Sequence, residues 1–253
     1  MKIKKYQKLK SNKYKVTLDN DDTITLYDEV ILDNNLLLTK EIDNIDDILN
    51  QNNYYEAYFL SIKYITKKQR TKKEIFNYLL KKYDIEIINN VILKLEKDNY
   101  LNEDLYINSY INDQVNLSNN GYYKILRDLK NNGIDEDIIK KYLDTIDKEV
   151  WIEKANKIIN KSLKSNNKYS SKYLKDKLLY DLSSKGYDNN DILELINNID
   201  IKDDIKVLEK NYKLLYNKLS KKYKDKELEL QLFNKLMAKG FNYSDVKEII
   251  NKK

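Results

Sequence analysis

The chain has 253 residues, 47 Lys and Arg against 41 Asp and Glu, and no cysteine, histidine or proline. Without cysteine there is no disulfide framework and no thiolate metal site, and without histidine there is no Ser-His-Asp triad and no imidazole ligand. No apolar run approaches the roughly 20 residues of a membrane span, and the basic start "MKIKKYQKLK" lacks the apolar stretch of a signal peptide, so a cytoplasmic protein is expected.

Residues 1–27 alternate in the manner of short strands. "KIKKYQK" (2–8), "KYKVTL" (13–18) and "DTITLY" (22–27) are separated by polar turns, with "DNDD" (19–22) between the last two. A small antiparallel β meander follows from this, too small to bury a core by itself. "DEVILDNNLLL" (28–38) reads as a short helix and turn. Thr39 to Asn50 reads as a second helix with Ile42, Ile45, Ile48 and Leu49 on one face.

From Tyr54 the pattern is helical throughout. The segments "LKNNGIDEDII" (129–139), "LSSKGYDNNDIL" (182–193) and "LMAKGFNYSDV" (236–246) share one grammar: a leucine, three residues, glycine, an apolar residue, then Asp or Asn. Glycine just past a helix end tolerates the left-handed conformation, and the Asp or Asn caps the next helix. "LLKKYDIEII" (79–88) has the same frame with Lys82 at the glycine position, Tyr83 after it and Asp84 as cap. The four turns, at 82, 133, 186 and 240, are 51, 53 and 54 residues apart. That period suits a three-helix unit. The expected architecture is mainly α: about four tandem three-helix repeats (54–104, 105–149, 150–204 and 205–253) in an elongated curved array, preceded by a β/α region over 1–53. Units this small need stacked neighbours to close a core.

Little here suggests catalysis. The carboxylate runs "DNDD", "DEVILD" (28–33), "DEDII" (135–139) and "IKDDIK" (201–206) fall at predicted caps and turns, whereas a paired-carboxylate site needs burial to separate two pKa values. Four glycines cannot build a phosphate loop. No catalytic residue, metal ligand or cofactor-binding residue is assigned, and no cofactor is expected.

Basic clusters are the better candidates. Net charge runs −2, +2, −2, +1 and +7 over 1–53 and the four repeats, so the excess gathers at the C-terminal end. Such asymmetry favours an acidic partner such as a phosphate backbone. "TKKQRTKK" (66–73) brings Lys67, Lys68, Arg70, Lys72 and Lys73 to a linker and the start of a helix opened by the capping box Thr71–Glu74. "GYYKILRDLK" (121–130) contributes Lys124 and Arg127. The last repeat carries "KLSKKYKDK" (218–226), then Lys235 and Lys239.

The ordered set of these segments resembles the RecX family, regulators of the RecA recombinase. The resemblance rests on "RTKKEIFNYLLKKYDIEIINNVILKLEKDNYLNED" (70–104), "GYYKILRDLKNNGIDEDII" (121–139) and "LFNKLMAKGFNYSDVKEII" (232–250), behind a strand-rich start. Each segment alone is helix-cap grammar, and only their order is specific. The chain departs from the family pattern at Lys82, and at Lys124, Asn234 and Lys239, where arginine is usual. That puts bidentate contacts in doubt at those three positions. The resemblance implies a non-enzymatic regulator, mostly an inhibitor, acting as a monomer in DNA repair, recombination and the SOS response. Its partners would be the groove of the RecA filament and single-stranded or double-stranded DNA met through basic faces. The nine basic residues named above would contact RecA or phosphate. The alternative expectation is a helical-repeat nucleic-acid-binding protein that works without RecA.

Overall fold

The computed structural model describes residues 1–166, 168–199 and 205–252. Three strands lead the chain: β1 (Ile3–Lys8), β2 (Lys13–Leu18) and β3 (Thr23–Tyr27). They form one antiparallel sheet in the order β1-β2-β3, with Val16 opposite Tyr6 on one side and Ile24 on the other. Then come α1 (Asp28–Asp33), α2 (Leu36–Thr39), α3 (Ile45–Ile65), α4 (Lys72–Leu79), α5 (Ile85–Lys97), α6 (Glu103–Leu117), α7 (Tyr122–Asn131) and α8 (Glu136–Leu143). The rest is α9 (Lys148–Ser165), α10 (Ser171–Ser184), α11 (Asn189–Asn197), α12 (Ile205–Leu219), α13 (Asp225–Ala238) and α14 (Tyr243–Asn251). The chain divides into two compact units, Met1–Ser109 with Lys130–Asp135, and Tyr110–Leu129 with Glu136–Lys253.

In the first unit one face of the sheet is covered by α1 and α3. Val16, Leu18 and Leu26 bury there with Val30, Ile31, Leu36, Ile42 and Ile48. The outer edge of β1 is not left open: the Ile3 amide donates to the Lys40 carbonyl and the Ile42 amide to the Met1 carbonyl, both within 2.9 Å. The expected helix over Thr39–Asn50 is not formed as such. Lys40 adopts a left-handed conformation, Asn44 caps with its side chain, and one helix then runs unbroken for 21 residues. The polar stretch Gln51–Asn53 does not stop it, because two of its side chains work inside the unit. The Asn52 side-chain oxygen accepts the Tyr27 amide at 2.9 Å, and Gln51 accepts from Asn34 at 2.6 Å.

The later helices follow the three-by-three grammar. α3, α4 and α5 pack together, as do α9, α10 and α11, and α12, α13 and α14. A five-position apolar signature recurs. Ile125, Leu129, Ile134, Ile139 and Leu143 are buried. So are Leu178, Leu182, Tyr187, Ile192 and Ile196, and likewise Leu232, Leu236, Phe241 and Val246, the fifth position of that set being the half-buried Ile250. In each, the apolar residue after the glycine stands five positions beyond the last leucine of helix two. Gly133, Gly186 and Gly240 all have positive φ, between 76° and 88°. The chain folds back through bonds from Tyr187 N to Leu182 O and from Phe241 N to Leu236 O, each reaching five residues back.

The first repeat is built differently, which corrects the reading of Lys82 as a stand-in for glycine. From Leu79 to Tyr83 is four residues, so the turn is one residue shorter. The Tyr83 amide bonds the Leu79 carbonyl at 3.1 Å, four residues back, and Lys82 is not among the residues with positive φ. No left-handed residue is needed because the residue that would occupy that conformation is missing. The Lys82 ammonium instead pairs with Glu56 of α3 at 2.7 Å, and the Tyr83 hydroxyl donates to the same carboxylate oxygen at 2.9 Å. Burial raises the Glu56 pKa, but the bonds from Lys82 and Tyr83 outweigh it and hold the carboxyl below its ordinary value. The stabilisation is therefore present above the unfolded value and is lost as pH falls through the lower folded one. Between about pH 6 and about pH 3.5 the urea midpoint of Glu56→Gln is expected to fall less than that of the parent.

Candidate functional site

The starts of α4, α7 and α10 share a position. Thr71, Gly121 and Ser170 precede these helices, and each meets the glycine turn of the following repeat. In the first unit the Thr71 hydroxyl donates to the Asn132 carbonyl at 2.8 Å. In the second, the Gly121 amide donates to the Lys185 carbonyl at 2.8 Å and the Ser170 hydroxyl to the Lys239 carbonyl at 2.6 Å. Asn132, Lys185 and Lys239 each stand one place before the glycine, so the same carbonyl is taken in all three repeats. A helix end presents unpaired carbonyls and a helix start unpaired amides, and their partial charges are opposite. Each hydroxyl serves both: Thr71 also accepts from the Glu74 amide at 3.2 Å and Ser170 from the Tyr173 amide at 3.3 Å. The capping box Thr71–Glu74 is complete in both directions. Among the described residues no helix start of this kind meets the short Lys82 turn. Thr71→Ala and Ser170→Ala are each expected to cost about 1–2 kcal/mol, read as a lower urea midpoint, with Thr71→Ser close to the parent.

The basic residues singled out in the sequence sort by what holds them. Lys67 and Lys68 lie exposed in the turn after α3 without a side-chain partner among the described residues. Arg70 is largely enclosed. Its guanidinium lies 3.9 Å from the Tyr64 ring centroid, Tyr64 stacks on Tyr78 at 4.3 Å, and Glu74 accepts from Arg70 at 2.9 Å. Lys72 pairs with Glu96 at 2.6 Å, and that hydrogen bond raises its pKa. Lys73 donates to the Asn131 carbonyl at 3.1 Å and lays its stem against Gly133. In the second unit Lys124 pairs with Asp128 one turn on, while Arg127 is exposed and has no partner among the described residues. Lys235 is likewise exposed and has no partner among the described residues, and Lys239 donates to the Asn211 side-chain oxygen at 2.8 Å. Lys218, Lys221, Lys222, Lys224 and Lys226 are exposed too, around the turn from α12 to α13. Free positive charge therefore stands on the link from helix one to helix two in the first repeat and again in the last.

The sequence reading missed Lys154. Its ammonium is turned inward, donating to the Gln114 and Val115 carbonyls at 2.9 and 2.8 Å, and burial lowers its pKa. It serves the end of α6 as a side-chain cap. No motif marked it, since it is one lysine among many on an amphipathic helix.

The carboxylate runs sort the same way. Asp21 pairs with Lys4 at 2.7 Å and Asp188 caps α11. Glu29 is pushed up to about 7, mainly by burial, on the first turn of α1. Asp203 and Asp204 of "IKDDIK" lie outside the described residues. Among the described residues no group of three or more acidic side chains is placed to hold a metal ion, and no helix is long and apolar enough to cross a membrane.

A strand-led series of three-helix units, docked helix start to helix end and lined with lysine, defines a helical-repeat protein with a charged surface. Residues 57–95 match the family model described as RecX, first three-helix domain. Regulatory protein RecX of Streptococcus agalactiae is 34% identical over 261 residues, covering 99% of this chain and 98% of the relative. That of Streptococcus sanguinis is 30% identical, covering 97% of each. The chain belongs to the RecX family. Two solved structures share the fold. One, of regulatory protein RecX, has a TM-score of 0.67 at 23% identity over 79% of this chain and all of its own. The other, RecX from Lactobacillus salivarius, has a TM-score of 0.53 at 24% identity over 58% of this chain.

Proposed function

We propose that this chain is a non-enzymatic, cytoplasmic regulator of RecA. It binds the groove of the RecA filament on single-stranded DNA as a monomer and holds down ATP hydrolysis, strand exchange and coprotease activity. Family membership along nearly the whole chain carries this reading. The free lysines of the first and last repeats support it, because a partner made of protein and phosphate rewards several weak contacts made together. The repeats are taken to run over 54–104, 105–149, 150–204 and 205–253, each contributing its own contact. The test is RecA ATP hydrolysis on single-stranded DNA with this protein added below one copy per RecA. A fall in hydrolysis with shortened filaments is expected, and unchanged hydrolysis and filament length would overturn the reading.

A second reading, nucleic-acid binding without RecA, is favoured by the +7 charge of residues 205–253. It requires tight DNA binding by the protein alone with a steep dependence on salt. Weak binding at physiological salt removes it.

A further inference from the structure

The second unit contains a cleft of about 1110 Å³ whose lining is opposite in character to the lysine-bearing links. Its walls come from α7, α8, α9 and α11. Five acidic residues line it (Glu136, Asp144, Asp147, Asp188 and Asp191) against two lysines, Lys140 and Lys148. Both lysines are spent inside it, Lys140 on Glu136 at 2.8 Å and Lys148 on Asp191 at 2.7 Å. Asp144 and Asp147, on the link from α8 to α9, are exposed. Asp144 accepts from the Tyr122 hydroxyl at 2.8 Å, and Asp147 stands at the cap of α9 without using its side chain there.

Beside these carboxylates lie three aromatic rings meeting edge to face. Tyr122 and Tyr123 have centroids 5.2 Å apart at 71°, and Tyr122 and Trp151 6.3 Å apart at 81°. Trp151 lies in the first turn of α9, four residues after its cap residue Asp147. Rings meeting at steep angles present both faces and edges, and a cation is drawn to the faces. A planar guanidinium satisfies both halves of this lining, since it stacks on a ring and gives paired N–H groups to a carboxylate. A phosphate group would meet uncompensated acids.

We infer that this acidic, aromatic cleft is a docking site for an arginine-bearing segment of a protein partner, separate from the basic links that suit phosphate. The occupant is argued from charge complementarity. The cleft carries surplus negative charge inside a chain whose net charge is +6, so a cationic peptide is attracted here and repelled by the lysine-rich last repeat.

Trp151 is the sole tryptophan of the chain, so its fluorescence reports on the cleft directly. The intact protein is titrated with a tetra-arginine peptide, with tetra-glutamate as the comparison. Tetra-arginine is expected to give a saturable change in Trp151 emission, and tetra-glutamate none. The double variant Asp144→Asn with Asp147→Asn, which keeps hydrogen-bonding groups at both exposed positions, should bind roughly tenfold or more weakly. Asp245→Asn, which changes charge at a carboxylate outside the cleft, should bind as the parent does. Absence of a saturable change overturns the proposal, as does undiminished binding by the double variant or an equal loss in Asp245→Asn. None of these readouts involves RecA or DNA, so they stand apart from the regulatory reading.

Discussion

Gly186→Ala is expected to lower unfolding stability by about 2–5 kcal/mol, a sum of two independent costs. One is the left-handed backbone: Gly186 has φ +79°, and a residue with a Cβ pays roughly 1–2 kcal/mol there. The other is overlap. An added Cβ would collide with the Lys124 amide nitrogen and sit 2.7 and 2.8 Å from the Lys124 Cβ and Cα. Backbone cannot swing aside as a side-chain tip can, and crowding of this kind costs about 1–3 kcal/mol. Gly240→Ala separates the two terms. Its φ is +76°, but the nearest atom to an added Cβ is the Ser170 hydroxyl oxygen at 3.0 Å, and the next lies at 3.6 Å. It is expected to cost only about 1–2 kcal/mol, close to the backbone term alone. Urea unfolding of both variants beside the parent checks the pair. Equal losses would mean that the closeness of the α7 start to the Gly186 turn contributes nothing.

The same closeness accounts for Gly121. At the corresponding place the other repeats have Thr71 and Ser170, whose hydroxyls reach the carbonyl of the next turn. Gly121 reaches it with its own amide, and a Cβ there would lie 2.7 Å from the Gly186 carbonyl oxygen. Gly121 and Gly186 thus permit one backbone to lie directly on another, and neither can be understood without its partner.

Much of the fold could be read from the chain because its signals are local. The positive φ of Gly133, Gly186 and Gly240, the capping box at Thr71 and the three strands all follow from a few adjacent residues. Two readings failed where local signals compete. Thr39 resembled a helix start, but Asn44 takes the cap, and the Asn-rich stretch that resembled a break is held in the helix by bonds to Tyr27 and Asn34. Lys82 falls at the glycine position when the segments are aligned on Tyr83 and Asp84, the apolar residue and the cap. The spacing from Leu79 to Tyr83, one residue short, was the sign that the turn itself differs. The candidate site was legible as a list of cations and only in part as an arrangement. The partners of Arg70 and Lys124, Glu74 and Asp128, stand four residues on and can be read from helical spacing, whereas the Lys72–Glu96 pair depends on packing between two helices. The junction hydroxyls were legible only as caps for their own helices, their second bond lying 61 residues away for Thr71 and 69 for Ser170.

That sorting of cations leads to the other large effect. The variant with Lys67, Lys68, Arg127 and Lys235 all changed to Ala is expected to lose a large part of its electrostatic grip on single-stranded DNA. Each phosphate neutralised on a single strand contributes about 0.7 to the slope of log affinity against log salt. Four lost contacts lower that slope by about 3, so affinity should differ by roughly 60-fold less than in the parent between about 50 and about 200 mM salt. Arg70→Ala with Lys72→Ala and Lys124→Ala removes three positive charges already matched by Glu74, Glu96 and Asp128. Its expected slope change is well under half as large, because a cation already paired with a carboxylate releases fewer counterions from DNA. Fluorescence anisotropy of a labelled oligonucleotide across a salt series reads both variants. If the four free cations face RecA rather than phosphate, the slopes of parent and variant coincide while suppression of RecA ATP hydrolysis still weakens. Coincident slopes together with unaltered suppression would place the working surface elsewhere on the repeats.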